Sequence, residues 1–344
     1  MNLKKLFILI FGLLIAIGGI LGYNFYNRIY KPNTIKEGFL YIPTNSNFKN
    51  VENLVRPFLK RVKTFTWVAN KKNYTNTIKS GKYHIIKGLN NNDLINLLRS
   101  GKQTTVKLSF NNQDNFEKLA GRIAEQIEPD SISIFNALTN ISLITEAGFK
   151  KNTAIGMYIP NTYEFYWNTS AKAFRNKMLK EYNKFWNTTR IEKAKDLNLS
   201  KNEVITLASI VQKETANISE RPMVAGLYLN RLKDKWPLQA DPTIIFALKK
   251  KLGNNTVIKR VLTKDLDINS PYNTYKNNGL PPGPIAMPDI SSIDAVLNPS
   301  THEYYYMCAS ITTIGTHEFA KTLLQHNKNA FKYQEWLSKQ GVNR

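Results

Sequence analysis

The chain of 344 residues has a single cysteine, Cys308, and four histidines. One thiol excludes an internal disulfide and any cysteine-built zinc site. His84, His302, His317 and His326 show neither HxH nor HxxxH spacing, so no metal and no other cofactor is expected. Acidic residues are also scarce, 25 against 48 lysines and arginines, which leaves a formal net charge of +23 and a pI near 9.8. That surplus implies solubility and attraction to polyanions such as nucleic acid, anionic lipid or acidic cell-wall polymer, and says nothing of fold. The basic residues are scattered, with no basic arm and no known nucleic-acid module, so no specific nucleic-acid partner is expected. Internal repeats and low-complexity linkers are missing. With 42% hydrophobic and 21% charged residues the chain is neither wholly disordered nor collagen-like. Long apolar runs are limited to one, which excludes a polytopic membrane protein. The length suits about two domains, each large enough to bury its own core.

The apolar run, Leu6 to Gly22, follows Lys4-Lys5 and ends before Tyr23-Asn24-Phe25-Tyr26. Its 17 uncharged residues are the lower edge for a membrane-spanning helix, and the aromatic residues supply an interfacial anchor. No small-x-small cleavage site follows, which favours a retained single-pass anchor over a cleaved signal peptide. Lys4 and Lys5 precede the run while Arg28, Lys31 and Lys36 follow it, so charge counting gives weak guidance on orientation. An anchor ahead of one large soluble domain usually places that domain outside. Residues 1–30 therefore read as a cytoplasmic tail and transmembrane anchor.

From Gly38 the pattern turns strand-like through Phe39-Leu40-Tyr41-Ile42 and stops at Pro43. Val51, Leu54, Val55, Phe58 and Leu59 then follow helical spacing. Ser80 to Ile86 reads as a turn and a strand. Asn90 to Asp93 opens a short helix carrying Leu94, Leu97 and Leu98, which Gly101 closes. A further strand spans Thr104 to Phe110. The second segment is mainly helical, beginning with an amphipathic helix through Phe116, Leu119, Ala120, Ile123, Ala124 and Ile127. Gly156 to Trp167 is an aromatic-rich, irregular stretch that would either line a sugar groove or, as we prefer, pack a core.

The best candidate for chemistry lies on the next helix. Ser200 and Glu203 form a capping box, and Val204, Leu207, Ala208 and Val211 form one apolar stripe. Glu214 is three residues beyond Val211, at the border of that stripe. Partial burial and the negative end of the helix dipole would both raise its pKa, as a glycosidic general acid requires. Lys213 points about 100° away and is no obvious neutralising partner. The plainer alternative is a surface glutamate turned into solvent or paired with Arg221. Pro222 suits the first turn of the following helix. Asp241, before Pro242, is a ready N-cap. Ser270-Pro271-Tyr272-Asn273-Thr274-Tyr275 leads into the stiff loop Gly279-Leu280-Pro281-Pro282-Gly283-Pro284-Ile285, which would hold Tyr272, Asn273 and Tyr275 against a ligand or serve as a rigid crossover.

In order, Leu207–Thr215, Ser219-Glu220-Arg221, Leu229-Asn230-Arg231-Leu232, Leu238–Thr243, Ser270–Tyr275, Gly279–Ile285, Asn298-Pro299 and the strand Tyr304–Ala309 resemble the YceG-like endolytic murein transglycosylase family. The resemblance implies an α+β fold. It comprises an N-terminal transmembrane helix, a small LysM-like α/β module over residues 37–104, and a mainly helical YceG-like catalytic domain with some β structure over 105–344. It also implies a lytic transglycosylase of the bacterial inner membrane, its catalytic domain extracytoplasmic. Such an enzyme cuts peptidoglycan glycan strands internally, between MurNAc and GlcNAc, and leaves 1,6-anhydro-MurNAc ends, with contact to peptidoglycan synthases. The family's catalytic glutamate maps onto Glu214. Gln239, Asp241, Thr243, Tyr272, Asn273, Thr274, Tyr275, Glu220, Arg221 and Asn230 are the substrate-binding candidates. Two positions depart from the family pattern: Gln212, where many members carry Glu, and Ser109–Gln113, where relatives usually show a Pro-Glu-Gly turn. The rival reading is a non-catalytic peptidoglycan-binding scaffold of the envelope.

Overall fold

The computed structural model describes residues 3–254, 256–258 and 260–340. Met1 and Asn2 of the expected tail, and Asn255, Lys259 and 341–344 of the expected catalytic domain, lie outside them. Helices and small two-stranded sheets mix along the chain, an α+β fold as expected. Two compact units form. The first comprises the chain up to Leu108 together with Gln126–Pro129 and Tyr163–Ser170; the second comprises Ser109–Glu125, Asp130–Thr162 and the chain from Ala171 on.

The first unit begins with helix α1, Leu3–Tyr30, one helix long and apolar enough to cross a membrane, with none of its residues buried against the rest of the chain. At 28 residues it is about 42 Å long, well beyond the apolar run alone. Its last turns are tied down. Phe25 meets Trp67 edge-on at 5.1 Å, Arg28 lies 5.5 Å from the same indole, and Asn91 Nδ2 donates to the Arg28 carbonyl at 2.7 Å. Strand β1 (Gly38–Ile42) pairs antiparallel with β2 (Gly81–Ile85), Leu40 opposite Tyr83. Helices α2 (Phe48–Val55), α3 (Val62–Lys71) and α4 (Asn91–Ser100) surround that ribbon, and Ile42, Val51, Phe65, Tyr83, Ile85 and Leu94 form the core between them. The helical spacing through Leu59 was broken by Pro57: lacking an N–H, it ends α2 at Val55 and leaves a single 3₁₀ turn, Arg56–Phe58. The α4 signals hold. Asn90 caps it by accepting from the Asp93 amide, and Gly101 takes φ +71°, the left-handed conformation that stops a helix. Strand β3 (Thr105–Phe110) pairs with β4 (Asn161–Tyr166).

The second unit contains α5 (Phe116–Ala124), α6 (Ser131–Thr139), α7 (Ile141–Glu146), α8 (Ala171–Phe185) and α9 (Thr188–Asp196). It continues with α10 (Lys201–Glu214), α11 (Arg221–Lys233), α12 (Asp241–Leu252), α13 (Ile290–Leu297), the hairpin β5 (Tyr306–Ala309) and β6 (His317–Ala320), and α14 (Leu323–Lys339). Helix α5 stops before Ile127, which is buried beyond its end. The aromatic stretch is not irregular: a 3₁₀ turn, Ala154–Met157, leads into β4, and the buried Tyr158 and Phe165 make it packing rather than groove lining.

Helix α10 is the centre of this unit. Every residue from Val204 to Gln212 is buried, so the single apolar stripe understates it; the helix is enclosed all round, against α11, α12 and α13. Its polar members are satisfied inside. Thr206 Oγ1 bonds the Asn202 carbonyl, and Ser209 Oγ bonds that of Thr206 while accepting from the Ile285 amide at 3.0 Å. The capping box forms as the sequence indicates, with the Ser200 amide donating to Glu203 at 2.8 Å. On α11, Gly226 lies so close to the Ser300 carbonyl and the His302 ring that a Cβ there would collide with backbone. Gly226→Ala is therefore expected to destabilise the fold by about 1–3 kcal/mol, read as a lowered midpoint in urea or thermal unfolding.

Candidate active site

The last residue of α10 is Glu214, and the local sequence explains why its carboxyl is held in place. The apolar faces around α10 fix the helix axis, and Thr215, extended at the C-cap, turns the chain away. Lys213 leaves on another side and pairs with Asp114 at 2.7 Å, as its angular position requires. Arg221 is not a partner of Glu214; it is buried and engages Asp289 at 2.8 Å and Ser291 at 2.5 Å. Glu214 is held from α11, where Tyr228 Oη donates to Oε1 at 2.6 Å.

Glu214 and Tyr228 open into a cleft of about 240 Å³, walled by Arg231 from α11, Gln239 and Asp241 before and at the start of α12, Tyr275, the β5 residues Met307 to Ala309, and His317 of β6. Removal from water dominates the carboxyl and pushes its pKa up to about 7. The Tyr228 hydrogen bond and the positive sides of His317 and Arg231 pull the other way, and Asp241 adds to the rise. Tyr228 is in turn pushed well above the usual phenol range by burial and by the carboxylate beside it, so it stays a donor. His317 is fixed by a buried carboxylate: Glu220 accepts from its backbone amide at 2.6 Å and faces Nδ1 at 2.9 Å. Arg231 binds the wall together, donating from Nε to the Tyr305 carbonyl at 2.8 Å and from Nη1 to that of Leu238 at 2.6 Å.

The nominated residues separate into two groups. Glu214, Gln239, Asp241 and Tyr275 line the cleft. Gln239 does so at φ +50°, the left-handed region, its amide donating to Thr274 O at 3.0 Å. Asp241 is not the N-cap of α12, a position Ala240 holds; it is the first residue of that helix, and its Oδ1 accepts from Tyr275 Oη at 2.6 Å. The others stand behind the wall. Thr243 and Thr274 are buried and share a hydroxyl contact at 2.9 Å. Asn273 folds inward to donate to the Leu266 and Ile268 carbonyls. Asn230 secures the approach to β5 by donating to His302 O and Tyr304 O. Glu220 reaches the cleft through His317, and Arg221 does not reach it. Tyr272 lies against Phe246 at 4.6 Å and faces a different cleft. Gln212 fixes the loop before α13, accepting from the Asp289 amide at 2.5 Å. Tyr228, Arg231, Met307, Cys308 and His317 were missed as cleft residues. Only the helical spacing of Tyr228 and Arg231, three apart on one face, carried a local signal.

The profile of the YceG-like family matches residues 40–332. The chain belongs to that family. This YceG-like chain is 32% identical over 310 residues to the endolytic murein transglycosylase of Bacillus subtilis, covering 85% of its own length and 83% of that protein. It is 28% identical to the endolytic murein transglycosylase of Streptococcus pneumoniae D39 over 94% of its length, spanning 64% of that longer relative. A solved YceG-like protein of Listeria monocytogenes superimposes with a TM-score of 0.57 at 26% identity, covering 85% of this chain and 98% of that one.

Two outcomes follow from the electrostatics. Tyr228→Phe removes a bond to the ionised form of Glu214, so the carboxyl should titrate above about 7, read by carboxyl NMR or infrared difference titration. Stability should respond as well. Between the ordinary glutamate range and pH 7 the folded state holds a proton that the unfolded chain has lost, so stability falls as pH rises through that window. Relative to Glu214→Gln, the wild type is expected to lose about 1–3 kcal/mol between pH 5 and pH 8 in denaturant titrations.

Proposed function

We propose that this protein is a lytic transglycosylase that cuts peptidoglycan glycan strands internally, between MurNAc and GlcNAc, with Glu214 as its acid and base. The observation that carries the reading is a half-buried carboxyl held near neutrality at the foot of a cleft. At that pKa Glu214 keeps a large protonated fraction at physiological pH and donates its proton to the glycosidic oxygen as the C1–O bond breaks. The carboxylate so formed takes the proton of the C6 hydroxyl of the same MurNAc, whose oxygen closes on C1. The product is a 1,6-anhydro end, no water is consumed, and the intramolecular attack gains from proximity. Tyr228 holds the carboxylate while it is charged. Gln239, Tyr275 and His317 orient the sugar, and Arg231 keeps β5 in register with them.

Helix α1 serves as a single-pass anchor in the cytoplasmic membrane, with the chain after it on the extracytoplasmic side, where the strands are. The module of residues 37–104 is read as a LysM-like, glycan-holding subdomain, residues 105–344 as the catalytic domain, and peptidoglycan synthases as partners. A second reading rests on Asp241: a second carboxylate lines the same cleft, and with two carboxylates water can be activated and a hydrolysed, reducing end produced.

The test is mass spectrometry of purified peptidoglycan treated with wild type, Glu214→Gln and Asp241→Asn. Anhydro ends from wild type, reduced at least 100-fold in Glu214→Gln and retained in Asp241→Asn, are expected. Reducing ends that disappear in Asp241→Asn would establish the hydrolytic reading. Binding without any cleavage by the wild type would overturn both in favour of a scaffold.

A further inference from the structure

A second, larger cleft of about 770 Å³ lies in the same unit beside the first. The two are neighbours residue by residue. Glu214, Asp241 and Tyr275 face one, while Lys213, Pro242 and Tyr272 face the other. One wall of the larger cleft is a single face of α12: Pro242, Ile245, Phe246, Lys249 and Lys250 follow i, i+3, i+4, i+7, i+8. That face starts next to Asp241 and runs about 12 Å before ending in lysines.

The walls combine two chemistries. Aromatic rings form part of the wall, with Phe246 against Tyr272 and Phe116 also lining the cleft. At the C-terminal end of α12 Lys250 Nζ stands 4.9 Å from the Tyr272 ring and 5.8 Å from that of Phe246, Lys249 is half-buried, and Lys151 joins from the loop after α7. None of these three lysines has an ion pair among the described residues. The acids on the rim are Asp114, already held by Lys213 and Lys118 well down at about 2, and the exposed Glu117. The cleft therefore suits a short chain that carries both apolar groups and carboxylates.

We propose that this cleft takes the stem peptide of the MurNAc undergoing cleavage, its carboxylates met by Lys249, Lys250 and Lys151. The inference rests on the proposed glycan-cutting role. In peptidoglycan the stem hangs from the lactyl group of the sugar whose C1 reacts, so a peptide site must begin beside the catalytic carboxyl. An extended peptide advances about 3.3–3.6 Å per residue, and 12 Å along α12 accommodates about three to four residues. The alanine methyls of a stem match the aromatic wall, and its free carboxylates match the lysines. Substrate choice then depends on the peptide as well as on the sugar.

The test compares uncrosslinked strands bearing stems with the same strands stripped by an amidase. Full-length protein in detergent micelles is used, with wild type and Lys249→Glu/Lys250→Glu measured for kcat/KM and Glu214→Gln for equilibrium binding. Wild type is expected to favour stem-bearing strands about tenfold or more. In the double variant that ratio should fall to about one, and Lys151→Glu should lower it in part. Equal kcat/KM on both substrates, or a ratio unchanged by the charge reversals, would overturn the inference. Binding by Glu214→Gln reads the same preference without cleavage. A protein that cuts nothing yet binds stem-bearing strands about tenfold tighter would sink the catalytic reading and keep the peptide site. Equal binding to both strands would remove the site and leave the catalytic reading standing.

Discussion

The complete enclosure of α10 is the constraint from which the second unit follows. A helix buried on every side from Val204 to Gln212 has no solvated face to give, so its internal hydroxyls bond backward along the helix and its side-chain amide bonds to the loop before α13. Burial also fixes the axis and rotation of the helix. The final residue then emerges at one place with one orientation. Helix α11 completes the arrangement, because the same helix that covers α10 brings Tyr228 to the carboxyl and Arg231 to the strand beside it.

The electrostatics of the cleft are a contest in which loss of water is the largest effect on Glu214 and three weaker effects oppose it. Burial and these three partners, Tyr228, His317 and Arg231, together hold the carboxyl near neutrality, so its protonation responds to the loss of either influence. Glu220 has a separate part. It is buried and fully used by His317, and so keeps the imidazole from swinging away or from offering Nδ1 to a ligand. The peptide site we propose in the larger cleft would rest on ion pairing instead, with Lys250 exposed to screening by salt and Lys249 half-buried.

Local signals in the sequence were legible wherever one residue decides the geometry. The Ser200–Glu203 capping box, the Asn90 and Gly101 ends of α4, and the β1 and β2 strands all follow from neighbours within four positions. Glu214 was legible because helical spacing carries it to the edge of a buried face. Pro57 defeats the same periodicity by removing one N–H. What was not legible depends on residues far apart in the chain. Asp241 seemed made for a helix cap by its neighbour Pro242, yet Tyr275, 34 positions on, takes its carboxylate instead. His317 belongs to the cleft only because β6 pairs with β5 and Glu220 holds it across 97 positions. Thr243 and Asn273 sit in motifs that touch the cleft, but tight packing turns their side chains inward, which spacing does not report.

Helix α1 has a geometric consequence of its own. A hydrocarbon layer about 30 Å thick takes up only part of its roughly 42 Å, and no break separates that part from the turns carrying Phe25 and Arg28. Those turns are clamped to Trp67 and Asn91, so the first unit has no slack tether beneath it. In the anchoring role proposed for it, the helix would act as a ruler, and the height of the rest of this unit above the lipid would be set by residue count.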